Sequence, residues 1–197
     1  FNRGITTFDE AKNFFRAENA PLIDPFLMYN MDVAVKRVIE AMNNRDSIMI
    51  YGDYDVDGTT STSMLYLFLR EIHKGLLTYY IPDRVKEGYG LSRSGITAAH
   101  AQGVKLVIAV DCGITAVDQI NLANEFGIDV IICDHHHPGD ILPNALAILN
   151  PKQEKCSYPF KELCGVGVAF KLAQALTETL KIDRNILLQH LDLVAIG

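Results

Sequence analysis

The acid-rich stretch at residues 53–58 is the part of the sequence whose residue types and spacing point most directly to chemistry. It places three aspartates at alternate positions, Asp53, Asp55 and Asp57, just before a glycine. Carboxylate oxygens are the ligands that hard divalent cations such as Mg²⁺ and Mn²⁺ prefer. Such cations polarise phosphate groups and lower the pKa of a bound water. The stretch therefore predicts a divalent-metal site, and we expect it to hydrolyse phosphodiester bonds.

Two other aspartates stand at comparable places. Asp111 and Asp134 each follow directly after a short apolar run, and three histidines at residues 135–137 continue from Asp134. If the apolar runs are parallel strands, the acids lie at the carboxyl ends of strands, where open α/β proteins bind ligands. We therefore expect these residues to share one crevice, with His137 turned toward solvent.

Divalent cations would resolve the electrostatic conflict in such a crevice. Five carboxylates cannot all stay ionised close together, since like charges raise each other's pKa. Carboxylates with one or two imidazoles suit Mn²⁺ or Mg²⁺, and the lack of a thiolate set argues against structural Zn²⁺. So many ligands could hold two ions about 3.5–4 Å apart. A lone aspartate after a strand is usually a turn or helix cap, but three coincident cases make that interpretation poor.

Two other motifs compete for the acid-rich stretch. A calcium EF-hand loop needs a glutamate at its twelfth position, which counted from Asp53 is Met64, and it needs a preceding helix rather than an apolar strand. Haloacid-dehalogenase phosphatases also place Asp-x-Asp-Gly-Thr after a strand, which would make Asp55 a covalent nucleophile. That class needs a later acidic pair, for which residues 134–136 are a poor substitute, so it stays a minor alternative.

The hydrophobic pattern predicts the elements that position these residues. Five near-continuous apolar runs are typical of parallel strands buried on both faces. Strands that alternate with helix-length segments predict a parallel α/β sheet with right-handed crossovers and helices on both faces. The predicted strands are residues 47–51, 76–81, 105–110, 129–133 and 145–149, and the helices between them are residues 59–74, 92–102 and 115–126.

Both ends of the chain are predicted to be helical. Thr7 and Glu10 have the spacing of a capping box, which would start a helix to about Arg16 that packs Phe14 and Phe15 on the core. The remaining predictions are an extended connector at residues 21–25, a helix capped by Asn30, C-caps at Gly103 and Gly127, and final helices at residues 165–181 and 183–194.

Composition bounds the class of protein. The 197 residues are 49% hydrophobic and 21% charged, as in an ordinary globular domain. There is no signal peptide pattern and no apolar stretch near the ~20 residues that cross a bilayer. Four cysteines without CxxC spacing indicate a reduced, cytoplasmic protein. The net charge of −6 argues weakly against a nucleic-acid partner, although Arg84, Lys86 and Arg93 could meet phosphates.

The motifs together resemble those of the DHH phosphoesterase superfamily. The resemblance rests on residues 52–58, 110–113 and 134–136, with support from residues 3–5, 82–84, 88–91, 150–152 and 164–172. Within the superfamily, the sequence is most similar to the RecJ-like exonucleases. The resemblance implies 5′→3′ degradation of single-stranded DNA in DNA repair and recombination, with two Mn²⁺ or Mg²⁺ ions. It also implies single-stranded DNA as a partner, with a single-strand-binding protein and a helicase as further candidates.

The resemblance implies roles for the site residues as well. Asp111 matches a carboxylate that bridges two ions, Asp134 matches a residue that orients a histidine, and His136 matches one that touches the metal site or the scissile phosphate. The implied metal ligands are Asp53, Asp55, Asp57, Asp111 and His135; the implied catalytic residues are Asp111, His135 and His136; the candidates for holding phosphate are His136, Arg84 and Arg93.

Tyr51 marks a departure from part of the superfamily. Relatives that act on small substrates often carry a histidine at this place, four residues before Asp55, so the tyrosine favours the exonuclease branch over the pyrophosphatase branch. Two alternatives stay open: a phosphodiesterase for short oligonucleotides or cyclic dinucleotides, and a non-catalytic module that binds nucleotide or a partner protein.

The sequence is expected to be the N-terminal catalytic fragment of a longer protein. It starts at Phe1 rather than Met, and the superfamily supplies a further metal-binding aspartate just after the run that here ends at Gly197. We expect residues 1–197 to form the DHH domain, with residues 165–197 leading toward a second domain. The fragment is predicted to fold, to bind metal weakly and to have little or no nuclease activity.

Overall fold

A five-stranded parallel sheet forms the centre of the computed structural model, which describes residues 5–15 and 22–197. Its strands are β1 (Ile48–Tyr51), β2 (Leu77–Tyr80), β3 (Leu106–Val110), β4 (Asp129–Cys133) and β5 (Ala147–Leu149). The strand order is β2-β1-β3-β4-β5, and every neighbouring pair is parallel. All five predicted strands are confirmed, because their apolar runs are long enough to be buried and too short for a packed helix.

Helices cover both faces of this sheet, as the alternating pattern predicts. They are α1 (Phe8–Phe15), α2 (Met31–Asn44), α3 (Val56–Ile72), α4 (Arg93–Ala101), α5 (Val117–Glu125), α6 (Gly165–Leu180), α7 (Asn185–Leu188) and α8 (Leu191–Ile196), with a 3₁₀ turn at Pro25–Leu27. Residues of α2, α3 and α6 share one buried apolar cluster, and residues of α4 and α5 share the other. Among the described helices, none combines the length and apolarity needed to span a bilayer.

Alternation along the strands divides the core between these two faces. In β1, Ile48 and Ile50 join the cluster with α2, α3 and α6, whereas Met49 and Tyr51 join the cluster with α4 and α5. All four side chains are buried. Successive strand side chains point to opposite faces, so a strand covered on both faces must be apolar at every position.

The order of the strands creates a crevice at their carboxyl ends. From β1 the chain crosses to β2 on one side, and then to β3 on the other side of β1. The loops after β1 and β3 therefore leave the sheet in opposite directions, and ligands bind at such a switch point. Both loops carry the aspartates that the sequence singles out.

The N-terminal helix confirms one prediction and contradicts another. The capping box is formed, since the Thr7 amide donates to Glu10 Oε2 at 2.9 Å and the Glu10 amide donates to Thr7 Oγ1 at 3.2 Å. The prediction that Phe14 and Phe15 pack on the core is wrong. Phe14 is 48% exposed and Phe15 81% exposed, and their rings contact each other edge to face. The predicted helix end at Arg16, the start of the connector at residue 21 and the motif residues 3–4 lie outside the described residues.

Other boundaries differ from the predictions for local reasons. Asn30 precedes α2, but its backbone is left-handed at φ 66° and its side chain makes no capping hydrogen bond. The helix predicted at residues 183–194 is divided into α7 and α8. Gly103 and Gly127 do follow helix ends, at φ 70° and 67°, where glycine avoids the strain of a left-handed residue.

Candidate metal centre

The predicted acidic residues come together where three strands end. Asp53, Asp111 and Asp134 follow β1, β3 and β4, and their exposed fractions are only 0%, 1% and 1%. Carboxylates are rarely buried unless they are paired or bind a cation. The arrangement therefore needs an explanation for each negative charge.

Two overlapping groups of potential ligands occupy the crevice. Atoms of Asp53, Asp55 and Asp111 lie within 4.8 Å of one another, and so do atoms of Asp111, His135 and His136. Asp111 belongs to both groups. A carboxylate shared in this way can bridge two cations, as the resemblance implies, because each of its oxygens can bind one.

Asp111 is the most strained member of the site. Its backbone is left-handed at φ 59°, which is uncommon for a residue with a side chain. His135 Nε2 lies 3.2 Å from its Oδ1, without the alignment of a hydrogen bond, so that oxygen is buried and unsatisfied. Burial raises the pKa of Asp111 to about 6, and the charges of Asp57 and Asp55 add to the increase, whereas His135 opposes it.

Asp53 is the most isolated charge. Both of its oxygens are buried, and neither accepts a hydrogen bond from any residue that the structure describes. Burial raises the pKa of its carboxyl group, and the charge of Asp55 adds to the increase. The nearby backbone amides of Tyr54 and Gly90, which lie outside hydrogen-bonding geometry, and the charge of His136 oppose it. A buried ion without partners costs several kcal/mol. The unsatisfied oxygens of Asp53 and Asp111 therefore fit a divalent cation, and a set of carboxylate and imidazole donors suits Mn²⁺ or Mg²⁺.

Asp55 links this cluster to the start of α3. Its Oδ1 accepts the Gly58 amide at 2.9 Å, which caps the helix. The helix begins at Val56, three residues earlier than the sequence pattern predicts, because this cap lies inside the acid-rich stretch. Gly58 permits the tight turn, since a Cβ there would lie 2.7 Å from Asp53 backbone atoms. Asp55 itself is exposed, at the rim of the crevice.

Asp57 occupies a different position from the other two acids of its stretch. Its oxygens accept the Gly165 amide at 2.6 Å and the Val166 amide at 2.7 Å, at the start of α6. Its Oδ2 also lies 3.6 Å from His135 Nε2. The positive end of the helix dipole stabilises its charge. Asp57 therefore stands on the His135 side of the centre and also joins α3 to α6.

Gly165 is necessary for this close packing. A Cβ at this position would lie 2.5 Å from Asp111 Oδ1. The chain's last residue, Gly197, also lies beside this corner, since a Cβ there would come within 3.2 Å of Asp57 Oδ1. Both glycines let backbone approach the acids directly.

Asp134 is buried but fully satisfied. Its Oδ1 accepts the amides of His135 and His136 at 2.7 and 3.1 Å and lies 2.7 Å from His136 Nδ1; its Oδ2 accepts the Ile114 amide at 2.9 Å. Burial would raise its pKa, but these hydrogen bonds outweigh burial and hold the pKa below its ordinary value. The geometry agrees with a residue that orients a histidine.

His136 is held in a defined orientation by this carboxylate. The contact with Asp134 is the main reason that the pKa of His136 is raised. Its carbonyl accepts the side-chain amide of buried Asn150 at 2.9 Å. With Nδ1 on Asp134, the Nε2 atom is left within reach of the Tyr89 hydroxyl, 3.2 Å away. His137 is exposed.

Tyr89 is a site residue that the sequence analysis missed. Its hydroxyl donates to the Asp111 carbonyl at 3.2 Å and lies 3.2 Å from His136 Nε2. Gly88 and Gly90 flank it in left-handed conformations, at φ 81° and 76°. Residues 88–91 support the family resemblance and their two glycines indicate a sharp loop, but neither signal says what the tyrosine contacts.

The candidate phosphate-binding residues fall in two places. The exposed Arg84 guanidinium lies over the Tyr54 ring, 5.3 Å from its centroid, beside the acid-rich stretch. Arg93 begins α4 with an exposed side chain, and no contact among residues 5–15 and 22–197 brings it to the centre. Lys86 is exposed and lies 3.9 Å from Asp83.

Comparison with known proteins identifies where this arrangement recurs. Residues 47–197 match the DHH family, N-terminal domain. The chain is 47% identical over 195 residues to the single-stranded-DNA-specific exonuclease RecJ of Bacillus subtilis, covering 99% of this chain and 24% of that protein. It is 42% identical over 176 residues to the Escherichia coli protein of the same name, covering 85% of this chain and 30% of the relative. The chain therefore spans about a quarter to a third of these relatives.

A solved structure shares the fold as well. The crystal structure of exonuclease RecJ bound to manganese superimposes with a TM-score of 0.78 at 33% identity, over 89% of this chain and 43% of that one. A second, RecJ from Thermus thermophilus in complex with Mn²⁺, gives a TM-score of 0.73 at 27% identity, over 94% of this chain and 27% of that one.

Proposed function

The chain belongs to the DHH family, and from this premise we propose that it is the catalytic domain of a metal-dependent exonuclease that degrades single-stranded DNA. The single observation that best supports the proposal is the position of Asp111 in both ligand groups. One buried carboxylate between two sets of donors suits a two-ion phosphodiesterase better than a structural metal site.

The proposed ion positions follow from the two groups. Asp53, Asp55 and Asp111 would hold one divalent cation, and Asp111 with His135 would hold the other, with Asp57 beside it. Two bound Mn²⁺ or Mg²⁺ ions would supply the charge that lowers the pKa of a water and stabilises the phosphate. The superimposed relatives with manganese support this choice of metals.

The protein's own groups would orient the DNA. His136, held by Asp134 through Nδ1, would donate from Nε2 to a phosphate oxygen. Tyr89 borders the same space. Arg84 is placed to bind a neighbouring phosphate, since its planar guanidinium is already beside the acid-rich stretch.

Several parts of the proposal rest on the family alone. These are the 5′→3′ direction, a role in DNA repair and recombination in the cytoplasm, and work alongside a single-strand-binding protein and a helicase. We also propose that residues 1–197 are the catalytic domain of a longer protein, with residues 165–197 leading toward a second domain. The greater length of the relatives supports this part.

The test compares substrates on purified protein with Mn²⁺. We expect the full-length protein to shorten 5′-labelled single strands from the labelled end and to leave pyrophosphate intact. The 197-residue chain alone should show little activity. Preference for dinucleotides over long strands would support the alternative phosphodiesterase. Robust degradation by the 197-residue chain would contradict the expected dependence on a further domain.

A further inference from the structure

One carboxylate outside the metal centre collects an unusual number of donors. Glu87 Oε2 accepts the hydroxyls of Tyr80, Ser92 and Ser94 at 2.9, 2.6 and 2.6 Å, and its Oε1 accepts the Asp83 amide at 3.0 Å. We call these five residues the Glu87 anchor. Its donors come from the end of β2, the loop after it and the start of α4, which are three separate pieces of backbone.

The Glu87 anchor is also joined to the strand that leads into the metal centre. The Ser92 amide donates to the Tyr51 hydroxyl at 3.0 Å, and the two hydroxyls lie 3.1 Å apart. Tyr51 is the last residue of β1, is fully buried, and precedes Asp53 by two positions. Ser92 in turn caps α4 by accepting the Gly95 amide at 2.9 Å. The anchor therefore ties the loop to the framework of the site.

The loop that the Glu87 anchor closes is the one that reaches over the metal centre. Asp83 and Ser92 stand at its two ends, and both donate to the same carboxylate. Between them, Arg84 lies over Tyr54 and Tyr89 contacts Asp111 and His136. With both ends tied to one group, the placement of Arg84 and Tyr89 depends on that group.

A carboxylate is an unexpected choice beside a surface that binds DNA phosphates, because its charge repels them. Here four hydrogen-bond donors stabilise the charge. Burial opposes ionisation, but the hydroxyls of Ser92 and Ser94, the Asp83 amide and the Tyr80 hydroxyl lower the pKa of Glu87 to about 2. The group stays ionised at neutral pH, and charge-assisted hydrogen bonds are about twice as strong as neutral ones.

We propose that Glu87 is a positioning residue that holds the loop of residues 83–92 over the metal centre and so sets how tightly the single strand is gripped. The proposal rests on the proposed function for its substrate, but the geometry it assigns to the loop does not.

The test uses Glu87→Ala and Glu87→Gln, with Glu71→Gln as matched control. Glu71 is an exposed glutamate of α3, so its change removes the same charge without touching the loop. Hydrogen exchange should show the amides of residues 84–91 exchanging about tenfold faster in Glu87→Ala, with β3 and β4 unchanged. Glu87→Gln should be intermediate, since an amide oxygen still accepts some of the hydroxyls, and the control should match the unmodified protein.

Steady-state kinetics then separate an effect on substrate binding, seen in KM, from an effect on the chemical step, seen in kcat. In Glu87→Ala the KM for a long single strand should rise about tenfold while kcat changes less than about twofold. A dinucleotide, which offers few phosphates beyond the scissile one, should be affected less. If Glu87→Ala does not fold, Tyr80→Phe and Ser94→Ala, each lacking one donor, must still raise exchange and KM.

Two results would overturn the proposal. One is unchanged exchange of residues 84–91 in Glu87→Ala. The other is faster exchange without any change in KM on a strand that the protein does cleave. If the full-length protein cleaves no single strand at all, the proposed substrate is wrong, and the exchange result alone decides whether Glu87 positions the loop.

Discussion

The carboxylate of Glu87 and the buried carboxylates of the metal centre have opposite environments in this protein. Glu87 accepts hydrogen bonds from four donors, and its pKa is lowered to about 2. Asp53 and Asp111 are buried with unsatisfied oxygens, and their pKa values are raised. The chain alone satisfies the oxygens of Glu87, but it leaves oxygens of Asp53 and Asp111 without partners.

The contrast shows which of the two clusters needs a ligand. A satisfied carboxylate stabilises a loop and needs nothing further, whereas an unsatisfied buried pair costs stability until a cation arrives. Functional sites often keep such a cost, because the same groups must bind something later. We therefore propose that the metal centre carries catalysis and that the Glu87 anchor positions the loop.

The largest effect should come from removing the shared ligand. Asp111→Ala takes one oxygen donor from each proposed ion, so we expect turnover to fall about a thousandfold or more. Initial rates of the full-length protein on single-stranded DNA with Mn²⁺ measure this. Asp118→Ala, at an exposed aspartate of α5, is the control and should keep full activity. Substantial activity in Asp111→Ala would remove Asp111 from the mechanism.

Replacing Asp111 should lower activity but raise the free energy of unfolding of the metal-free chain. Asp111→Asn removes the buried charge, and asparagine tolerates a left-handed backbone. The folded chain keeps this proton to about pH 6, whereas an unfolded aspartate releases it near 3.8. The penalty is therefore absent below about pH 4 and complete above about pH 6, where the metal-free variant should be more stable by about 3 kcal/mol. Denaturant unfolding at pH 4 and 7.5 measures this, and equal stability at pH 7.5 would contradict the burial argument.

Bound metal should remove the stability difference between the unmodified chain and Asp111→Asn, and the strength of metal binding should depend on pH. Above about pH 6 the cation meets an ionised Asp111, but below it must displace a proton. Each lower pH unit should then weaken binding by up to tenfold, or about 1.4 kcal/mol. Thermal shifts with Mn²⁺ between pH 5 and 8 measure this. The protection of residues 84–91 against exchange, corrected for the intrinsic pH dependence of amide exchange, should not change over the same range, since Glu87 stays ionised. A parallel change in protection would mean that the two clusters are coupled.

The sequence predicted the incomplete cluster far better than the complete one. Asp53, Asp111 and Asp134 are visible because each directly follows an apolar run, and the ends of parallel strands meet at a known edge. Glu87 gives no such signal. Its donors Tyr80 and Ser92 come together only through the path of the loop, which local sequence does not define.

The direction in which each side chain points was the other feature that the sequence could not predict. The three alternate acids of the stretch look equivalent, but Asp55 caps α3 whereas Asp57 accepts amides of α6, more than a hundred residues away. The helix that the capping box starts was also expected to pack Phe14 and Phe15 on the core, but both are exposed. A capping box predicts where a helix starts, but it does not say which face of that helix is buried.

The smallest effect should come from removing one donor of the Glu87 anchor. Tyr80→Phe deletes a single hydroxyl, so we expect a loss of about 1 kcal/mol in unfolding free energy. Metal binding should be unaffected, because Tyr80 belongs to neither ligand group. Chemical denaturation with and without Mn²⁺ measures both quantities. A reduced Mn²⁺ affinity in Tyr80→Phe would show that the anchor is part of the centre.

Anomalous diffraction from crystals of the chain soaked in millimolar Mn²⁺ would show whether Asp111 binds two ions. We predict two manganese peaks about 3.5–4 Å apart. Both should bind Asp111, one with Asp53 and Asp55 and the other with His135, while Asp134 binds neither. Peaks confined to places away from Asp111, or none at all, would contradict the account.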